Sequence, residues 1–301
     1  MAGGKPGLNK IKCMKIRLTT FARNDESLRT LISGRYLSGN FRWKDLEFVT
    51  DNSYDKMIIF TSPHKNTVDY DPVKCITMLT EPPASPNRVT HSIGRTEKMY
   101  LPLPWFPKEI LGRTDFEGSG SPIRKNKLLS IITSDLNYLS GHQARLEFVY
   151  YLDKMIDEGL DIWGKSHGKI YFSNIDNYRG GIIDKYEGLW PYKYHLACEN
   201  SFEYGYFTEK IIDPIIAENL CFYDGCMDIE SFIDERSFVK INIRRPQESI
   251  DTIIRSISDN LWSKSIRYIR AQKKRLLTTL HPMNLIWLAA HEKDLLNICK
   301  L

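Results

Sequence analysis

Residues 192–225, YKYHLACENSFEYGYFTEKIIDPIIAENLCFYDG, contain the clearest structural pattern of the chain. A short apolar run from Tyr194 to Cys198 predicts a buried strand, and three polar residues follow it. Thr208 then precedes four isoleucines that are spaced as on one face of a helix. A second apolar run at 220–223 ends at an Asp-Gly pair. Strand, loop, helix and strand in this order predict a parallel sheet with crossover helices, and therefore an α/β fold.

The polar residues of this stretch fall where such a unit binds ligands. The carboxyl end of a strand and the start of the next helix form the ligand crevice of an open α/β sheet, and free N–H groups there attract anions. Lys210 adds a positive charge, and Glu209 offers acceptors to sugar hydroxyls, so a phosphate beside a ribose fits both. The alternative, a capped helix start with a solvated charge pair, explains 208–210. It does not explain Glu199 and Asn200.

Two segments resemble a known signature. Residues 199–201 (ENS) and 204–213 (YGYFTEKIID) are similar in type and spacing to the donor-binding motif of the α-1,3-fucosyltransferases, glycosyltransferase family 10. The resemblance is strong over about 128–225 and weak from about 56. It implies a GT-B fold, with two Rossmann-type domains and the active-site cleft between them. It also implies inverting transfer of L-fucose from GDP-fucose to a hydroxyl of an oligosaccharide or other glycan acceptor.

The resemblance also implies which residues bind the nucleotide-sugar donor. Arg145 and Lys210 would stabilise the departing diphosphate, Glu209 would hold the ribose, and Asn200 and Tyr206 would line the donor. Gly164 ends a segment similar to the family's D-x-[YW]-G, which lines the nucleotide site. The complete implied set is Arg145, Gly164, Glu199, Asn200, Tyr206, Thr208, Glu209 and Lys210.

The position of Arg145 is also unusual when the family resemblance is set aside. The apolar spacing predicts a helix that begins near residues 140–142, which places Arg145 in its first turn. A cation is disfavoured at that end of a helix, so the position indicates an anion nearby. The alternative is an arginine that points into solvent.

Several departures from the family pattern fall near the expected donor base and sugar. Cys221 and Met227 replace the two prolines of a P-[IV]-x-x-G-x-P segment, Asp224 is added, and Pro214 lies inside the signature helix. These departures leave the donor open. A UDP-sugar such as UDP-xylose on the same scaffold is one alternative, and a non-catalytic nucleotide-sugar-binding protein is another.

Glu81 is the candidate catalytic base. It follows an apolar run, Cys75–Leu79, and precedes Pro82-Pro83, which restrict the backbone around it. Bacterial relatives carry a carboxylate proposed for this role at the matching place, although their local sequence differs. The alternative is a glutamate that only orders its loop. Asp71 and Glu97 are nearby carboxylates that are not predicted at the end of a strand.

Composition limits the partners and the compartment. The 301 residues carry a net charge of +5, which suits an anionic nucleotide sugar and is too small for a nucleic-acid-binding surface. Six scattered cysteines without a CxxC pair predict free thiols in a reducing compartment. No segment has the roughly 18 apolar residues of a membrane span, and the N-terminus lacks the apolar core of a secretion signal. We therefore expect a soluble cytoplasmic protein. Because eukaryotic members of the family usually carry an N-terminal membrane anchor, the resemblance implies the bacterial or viral type, or a chain from which an anchor has been removed.

We expect no required cofactor and no metal site. The one near match to a metal-binding Asp-x-Asp motif, at 69–71, is predicted to be a turn. A Gly/Ser-rich segment at 118–122 predicts the linker between the domains. The predicted division is an acceptor-side domain (1–115), a linker (116–126), a nucleotide-sugar-binding domain (127–246) and helices that pack back on the first domain (247–301).

Two smaller predictions concern local structure. Apolar runs at 44–49 and 56–61 predict a pair of strands in one sheet. The basic cluster of the C-terminal region is predicted to form a solvated helix face, with a polyanion or membrane surface as the alternative. This cluster consists of Arg270, Lys273, Lys274 and Arg275.

Overall fold

The computed structural model describes residues 13–88, 93–107, 124–138, 140–156, 158–168 and 170–301, and it confirms the predicted α/β class. The strands are β1 (Met14–Thr20), β2 (Arg42–Trp43), β3 (Leu46–Val49), β4 (Lys56–Phe60), β5 (Cys75–Met78), β6 (Arg95–Thr96), β7 (Lys127–Ile132), β8 (Leu160–Trp163), β9 (Tyr192–Cys198), β10 (Leu220–Asp224) and β11 (Phe238–Lys240). The helices are α1 (Asp25–Tyr36), α2 (Ser140–Met155), α3 (Glu209–Ile216), α4 (Pro246–Ser258), α5 (Leu261–Leu277), α6 (Pro282–Ala290) and α7 (Leu295–Cys299).

The first sheet has the strand order β2-β3-β1-β4-β5-β6 and is parallel except for the β2–β3 pair. The two strands predicted at 44–49 and 56–61 both lie in this sheet, which confirms the shared sheet, but they do not pair with each other. β1 lies between β3 and β4 and pairs with both. The connection through α1 leads from β1 to β2 and β3, which lie on one side of β1. The connection after β3 leads back to β4, which lies on the other side of β1. The order therefore reverses at β1, which opens a crevice at the carboxyl ends of β1 and β4.

The second sheet is wholly parallel, with the order β11-β10-β9-β7-β8. The chain runs from β7 outward to β8 and then crosses back to β9, so this sheet also reverses its order. The reversal lies between β7 and β9. Polar residues that follow these two strands, Thr133 and Asn200, consequently stand at the opening where such sheets bind ligands.

The C-terminal basic cluster is a solvated face only in part. Arg270 and Lys274 are exposed, as predicted, but Lys273 and Arg275 are not. Lys273 is buried and pairs with Glu218 at 2.9 Å, and Arg270 pairs with the other oxygen of Glu218 at 3.0 Å. Arg275 donates to the carbonyl oxygens of Phe232 and Cys299. The periodicity of α5 did not reveal this arrangement, because the partner carboxylate follows α3, far away in the sequence.

Helix α6 packs on the first sheet although it follows the second sheet in the sequence. The Trp287 indole donates to Asp45 at 2.6 Å, and Arg95 donates to the Ala289 carbonyl at 2.7 Å. Lys44 donates to Asn284 at 2.7 Å. Helices α4 and α5 instead pack beside α2 and α3 of the second half. The leader 1–12 and most of the predicted linker, through residue 123, lie outside the described residues.

Two further observations concern the cysteines and possible membrane spans. All six cysteines lie in the described ranges, and none is paired. No helix in the described part of the chain is both long enough and apolar enough to cross a bilayer.

The junction of α6 with the first sheet should be sensitive to acid. His281 stacks on Trp43 with ring centroids 4.5 Å apart, and its Nδ1 accepts a hydrogen bond from the Met283 N–H at 3.1 Å. Burial lowers the pKa of His281 to about 3, well below the ordinary 6.5. Between these two values the unfolded chain binds a proton that the folded protein does not, so stability is lost as the pH falls through this window.

We therefore expect the free energy of unfolding to fall between pH 7 and pH 5 by about 2 kcal/mol more in the wild type than in His281→Asn. Asparagine keeps a helix-capping acceptor but does not titrate. Urea denaturation at the two pH values measures the difference. An identical pH dependence in the two proteins would show that His281 is not buried in the neutral form.

Candidate functional site

Two cavities open at the carboxyl ends of the strands. The large cavity, about 780 Å³, is lined by the loops after β7, β8 and β9, by α2, by the start of α3 and by residues 105–107. The small cavity, about 270 Å³, is lined by residues that follow β1 and β5 and by residues 206–209 of the second half. Glu209 lines both cavities and therefore marks their junction.

Arg145 is the buried cation of the large cavity. It is the sixth residue of α2, one turn later than predicted, so the argument from the helix dipole does not apply. Its side chain is 8% exposed, its Nη1 donates to Asn200 Oδ1 at 2.8 Å, and no carboxylate of the described residues pairs with it. Its Nε has no hydrogen-bond partner there either. A buried charge without a counterion costs free energy, and a bound anion would remove that cost.

Lys210 is held at the cavity wall by a carboxylate beneath it. Glu199 is completely buried and lines neither cavity. Its oxygens accept from the Thr208 N–H at 2.9 Å and hydroxyl at 2.8 Å, and one lies 3.3 Å from the Lys210 ammonium. Burial lowers the pKa of Lys210, but Glu199 and Glu209 outweigh burial and raise it. Glu199 thus contacts Thr208 and Lys210 and reaches neither cavity.

Glu209 remains charged despite partial burial. Burial raises its pKa, but Lys210 and Lys185 outweigh that effect and bring the pKa to about 2. A fully ionised carboxylate offers acceptors only, as a ligand hydroxyl requires. Thr208 caps α3 by accepting from the Lys210 N–H and lines the small cavity. Tyr206 lines the same cavity, with its ring edge against Tyr100 at 5.2 Å.

Gly164 lets the ends of two strands approach each other closely. A Cβ at this position would overlap the carbonyl oxygen of Thr133, which follows β7. Gly164 and Thr133 both line the large cavity. Any larger residue would push β8 away from β7 and change the shape of that wall.

Glu81 lies in the bend after β5 and lines the small cavity. Glu209 is the other carboxylate among the described residues that line it. Asp71 accepts from the Val73 N–H and caps the short helical turn Pro72–Lys74, which follows residues 69–71 rather than coinciding with the turn predicted there. Glu97 pairs with Arg95 at 2.8 Å. Neither Asp71 nor Glu97 lines the small or the large cavity.

Two of the departures from the family pattern are structural. Cys221 is buried in β10, and Asp224 accepts from the Ile243 N–H at 3.0 Å. Neither residue lines either cavity. These two departures therefore give no reason to expect a different donor.

Sequence reasoning missed a lysine that lines the large cavity and the buried aspartate that pairs with it. Lys185 lines this cavity, and its ammonium lies 2.7 Å from Asp213. Asp213 is completely buried, and its other oxygen accepts from the Trp105 N–H at 3.0 Å. Burial raises the pKa of Asp213 to about 6, against the opposing effect of Lys185. One available signal was the charge of Asp213 within the apolar IIDPII segment of α3. Nothing in the local pattern identified Lys185.

Within the described ranges, no three His, Cys, Asp or Glu side chains are arranged to hold a metal ion. The protein cations that line the large cavity are Arg145, Lys165, Lys185 and Lys210.

Comparisons with known proteins agree with this geometry. The family model described as "Glycosyltransferase family 10 (fucosyltransferase) C-term" matches residues 122–281. A curated relative, "Alpha-(1,3)-fucosyltransferase FucT" of Helicobacter pylori, is 36% identical over 73 residues. That match covers 24% of this chain but only 15% of the relative's length.

Solved structures show the same fold. A crystal structure of an alpha1,3-fucosyltransferase with GDP-fucose has a TM-score of 0.50 at 17% identity, and the match covers 92% of this chain and 94% of that one. T4 phage BGT in complex with UDP and Mn²⁺ also has a TM-score of 0.50, at 11% identity, over 92% of this chain and 99% of that one. Two α/β halves that share a cleft make up the predicted GT-B architecture. Because the family model matches more than half of the chain, the protein belongs to glycosyltransferase family 10, the fucosyltransferase family.

Proposed function

We propose that the protein is an inverting glycosyltransferase that moves L-fucose from GDP-fucose onto a hydroxyl of a glycan acceptor. The observation that carries this proposal is the large cavity at the reversal of the second sheet, where the buried Arg145 has no carboxylate partner among the described residues. A nucleoside diphosphate supplies the missing anion. Lys210 faces the same space, and Glu209 supplies acceptors for a ribose.

The two cavities suggest how the substrates lie. The nucleotide occupies the large cavity, and the transferred sugar reaches past Glu209 toward the small cavity, where the acceptor binds. Glu81 removes the proton from the acceptor hydroxyl, and the oxygen attacks the anomeric carbon from the side opposite the nucleotide. The bond from that carbon to the diphosphate breaks with inversion. Arg145 and Lys210 stabilise the charge that develops on the leaving diphosphate.

The donor is tested with a panel of GDP-fucose, GDP-mannose, UDP-xylose and UDP-glucose. Release of the nucleotide is measured with and without a mixture of glycan acceptors. We expect acceptor-dependent release from GDP-fucose alone. Consumption of a UDP-sugar would mean that this sugar nucleotide, and not GDP-fucose, is the donor. The proposed mechanism would be unchanged. Tight nucleotide binding without consumption of any donor would identify a binding protein and overturn the proposal.

Transfer should not depend on a divalent metal ion. Arg145 and Lys210 already supply fixed positive charge at the large cavity, which is the electrostatic role that a metal plays against a diphosphate in other enzymes. We expect the same initial rate in excess EDTA as in buffer containing Mg²⁺ or Mn²⁺. Loss of activity in EDTA that Mn²⁺ restores would contradict this prediction.

A further inference from the structure

We propose that Lys185 is a third diphosphate-binding cation of the donor site and that Asp213 is the residue that positions it. This inference rests on the proposed function, because it concerns how the same site holds its nucleotide. Lys185 lies outside the signature that identified the family. Asp213 is the last residue of the matched segment 204–213, but no role was predicted for it from the sequence.

The first observation is a recess beneath the large cavity. This recess, about 40 Å³, lies between the carboxyl ends of β7 and β9 and has room for only a small group such as a phosphate oxygen. Arg145, Lys185 and Lys210 all line it, and no carboxylate of the described residues does. Most of the other lining side chains are apolar, so the three cations are the charged groups that a ligand entering the recess would meet.

The second observation is the placement of the carboxylates. The Asp213 carboxylate lies 2.7 Å from the Lys185 ammonium. In the same way, the Glu199 carboxylate lies 3.3 Å from the Lys210 ammonium. Both carboxylates are completely buried and line neither the recess nor the large cavity. Each lysine is therefore fixed from the protein side. An ammonium has three donors, and Asp213 is the one acceptor of Lys185 among the described residues, so further donors remain for a ligand.

The third observation is the connection of Asp213 to the cavity wall. Its second oxygen accepts from the Trp105 N–H, and Tyr186, next to Lys185, donates its hydroxyl to the Trp105 carbonyl at 2.6 Å. Trp105, Lys185 and Tyr186 all line the large cavity. Asp213 thus holds Lys185 and one edge of the cavity in a fixed relation, as expected of a residue that organises a binding site.

A single substitution of Lys185 would leave the buried Asp213 carboxylate without a partner and could unfold the protein. The informative comparison is therefore Asp213→Asn against the double variant Lys185→Met/Asp213→Asn. Asparagine can still accept from the Trp105 N–H, and the buried carboxylate is absent from both proteins. The two variants differ only in the charge of Lys185.

Titration calorimetry with GDP and with guanosine measures the effect. We expect the double variant to bind GDP about ten- to a hundredfold more weakly than Asp213→Asn, as for the loss of one charge-assisted hydrogen bond. Guanosine, which lacks phosphate, should bind the two variants equally. Lys154→Met is the control, because Lys154 also pairs with a buried aspartate, Asp153, but lies outside both cavities. Asp153 keeps the N–H groups of Asp176 and Asn177 as donors, and Lys154 is more exposed than Lys185, so this variant is expected to fold. Its GDP affinity should equal that of the wild type.

Equal GDP affinity in Asp213→Asn and the double variant would overturn the inference and leave the proposed function intact. Lys185 would then only neutralise Asp213. Failure of the wild type to bind GDP would overturn the proposed function, and this inference with it. Thermal unfolding of all four proteins confirms that each comparison is made between folded chains.

Discussion

Glu81→Gln is expected to lower the rate of sugar transfer at least a hundredfold while GDP binds as tightly as to the wild type. General-base assistance contributes about 10²–10⁴-fold, and glutamine keeps the size of the side chain but cannot take a proton. Glu81 lines the small cavity, whereas Arg145 and Lys210, the cations proposed to bind the diphosphate, line the large one. The chemical step and nucleotide binding should therefore respond separately.

The measurement is an acceptor-dependent transfer rate together with a GDP titration. Glu97→Gln is the control, because Glu97 is the alternative carboxylate of the first half but pairs with Arg95 outside both cavities. It should transfer at the wild-type rate. Full activity in Glu81→Gln would exclude the catalytic role. Loss of GDP binding in this variant would instead indicate that the glutamate orders its loop.

Arg145→Met should weaken GDP binding about ten- to a hundredfold without lowering the stability of the free protein. The guanidinium has no carboxylate partner among the described residues, so its removal leaves no buried anion uncompensated. Methionine also replaces much of the apolar stem of the arginine.

Lys210→Met is the informative contrast to this variant. It should weaken GDP binding to a similar degree, but it leaves the fully buried Glu199 without its cation. Breaking a buried ion pair from one side typically costs about 3–5 kcal/mol. Calorimetric GDP titrations and urea unfolding of both variants separate the two effects. Unchanged GDP affinity in Arg145→Met would contradict the assignment, as would a destabilisation equal to that of Lys210→Met.

The parts of the site that were predictable lie close together in the sequence. A strand, three polar residues and a capped helix suffice to place Asn200, Thr208, Glu209 and Lys210 at one strand end, since the geometry of a β-loop-α unit is local. Glu81 was found in the same way, as a carboxylate at the end of β5.

Other features depend on contacts between distant segments. The pairing of Lys185 with Asp213 spans 28 residues and two separate elements. Glu199 matched the signature, but its burial beneath α3 depends on how Tyr223 and Thr208 pack around it. The pairing of Lys273 with Glu218 spans 55 residues. Periodicity describes one element at a time, so it cannot show which charge will meet which partner.

The position of α6 has a consequence for the synthesis of the protein. The first sheet is complete in sequence by β6, yet α6, one of the helices that pack on it, is synthesised only after the whole second sheet. The roughly 180 residues from Pro107 to Ala290 take on the order of 10–40 s to add at usual ribosomal rates. During that interval Trp43 and Asp45 lack the side chains of His281 and Trp287 that contact them in the finished protein. The amino-terminal half therefore acquires its final packing only after α6 has been synthesised.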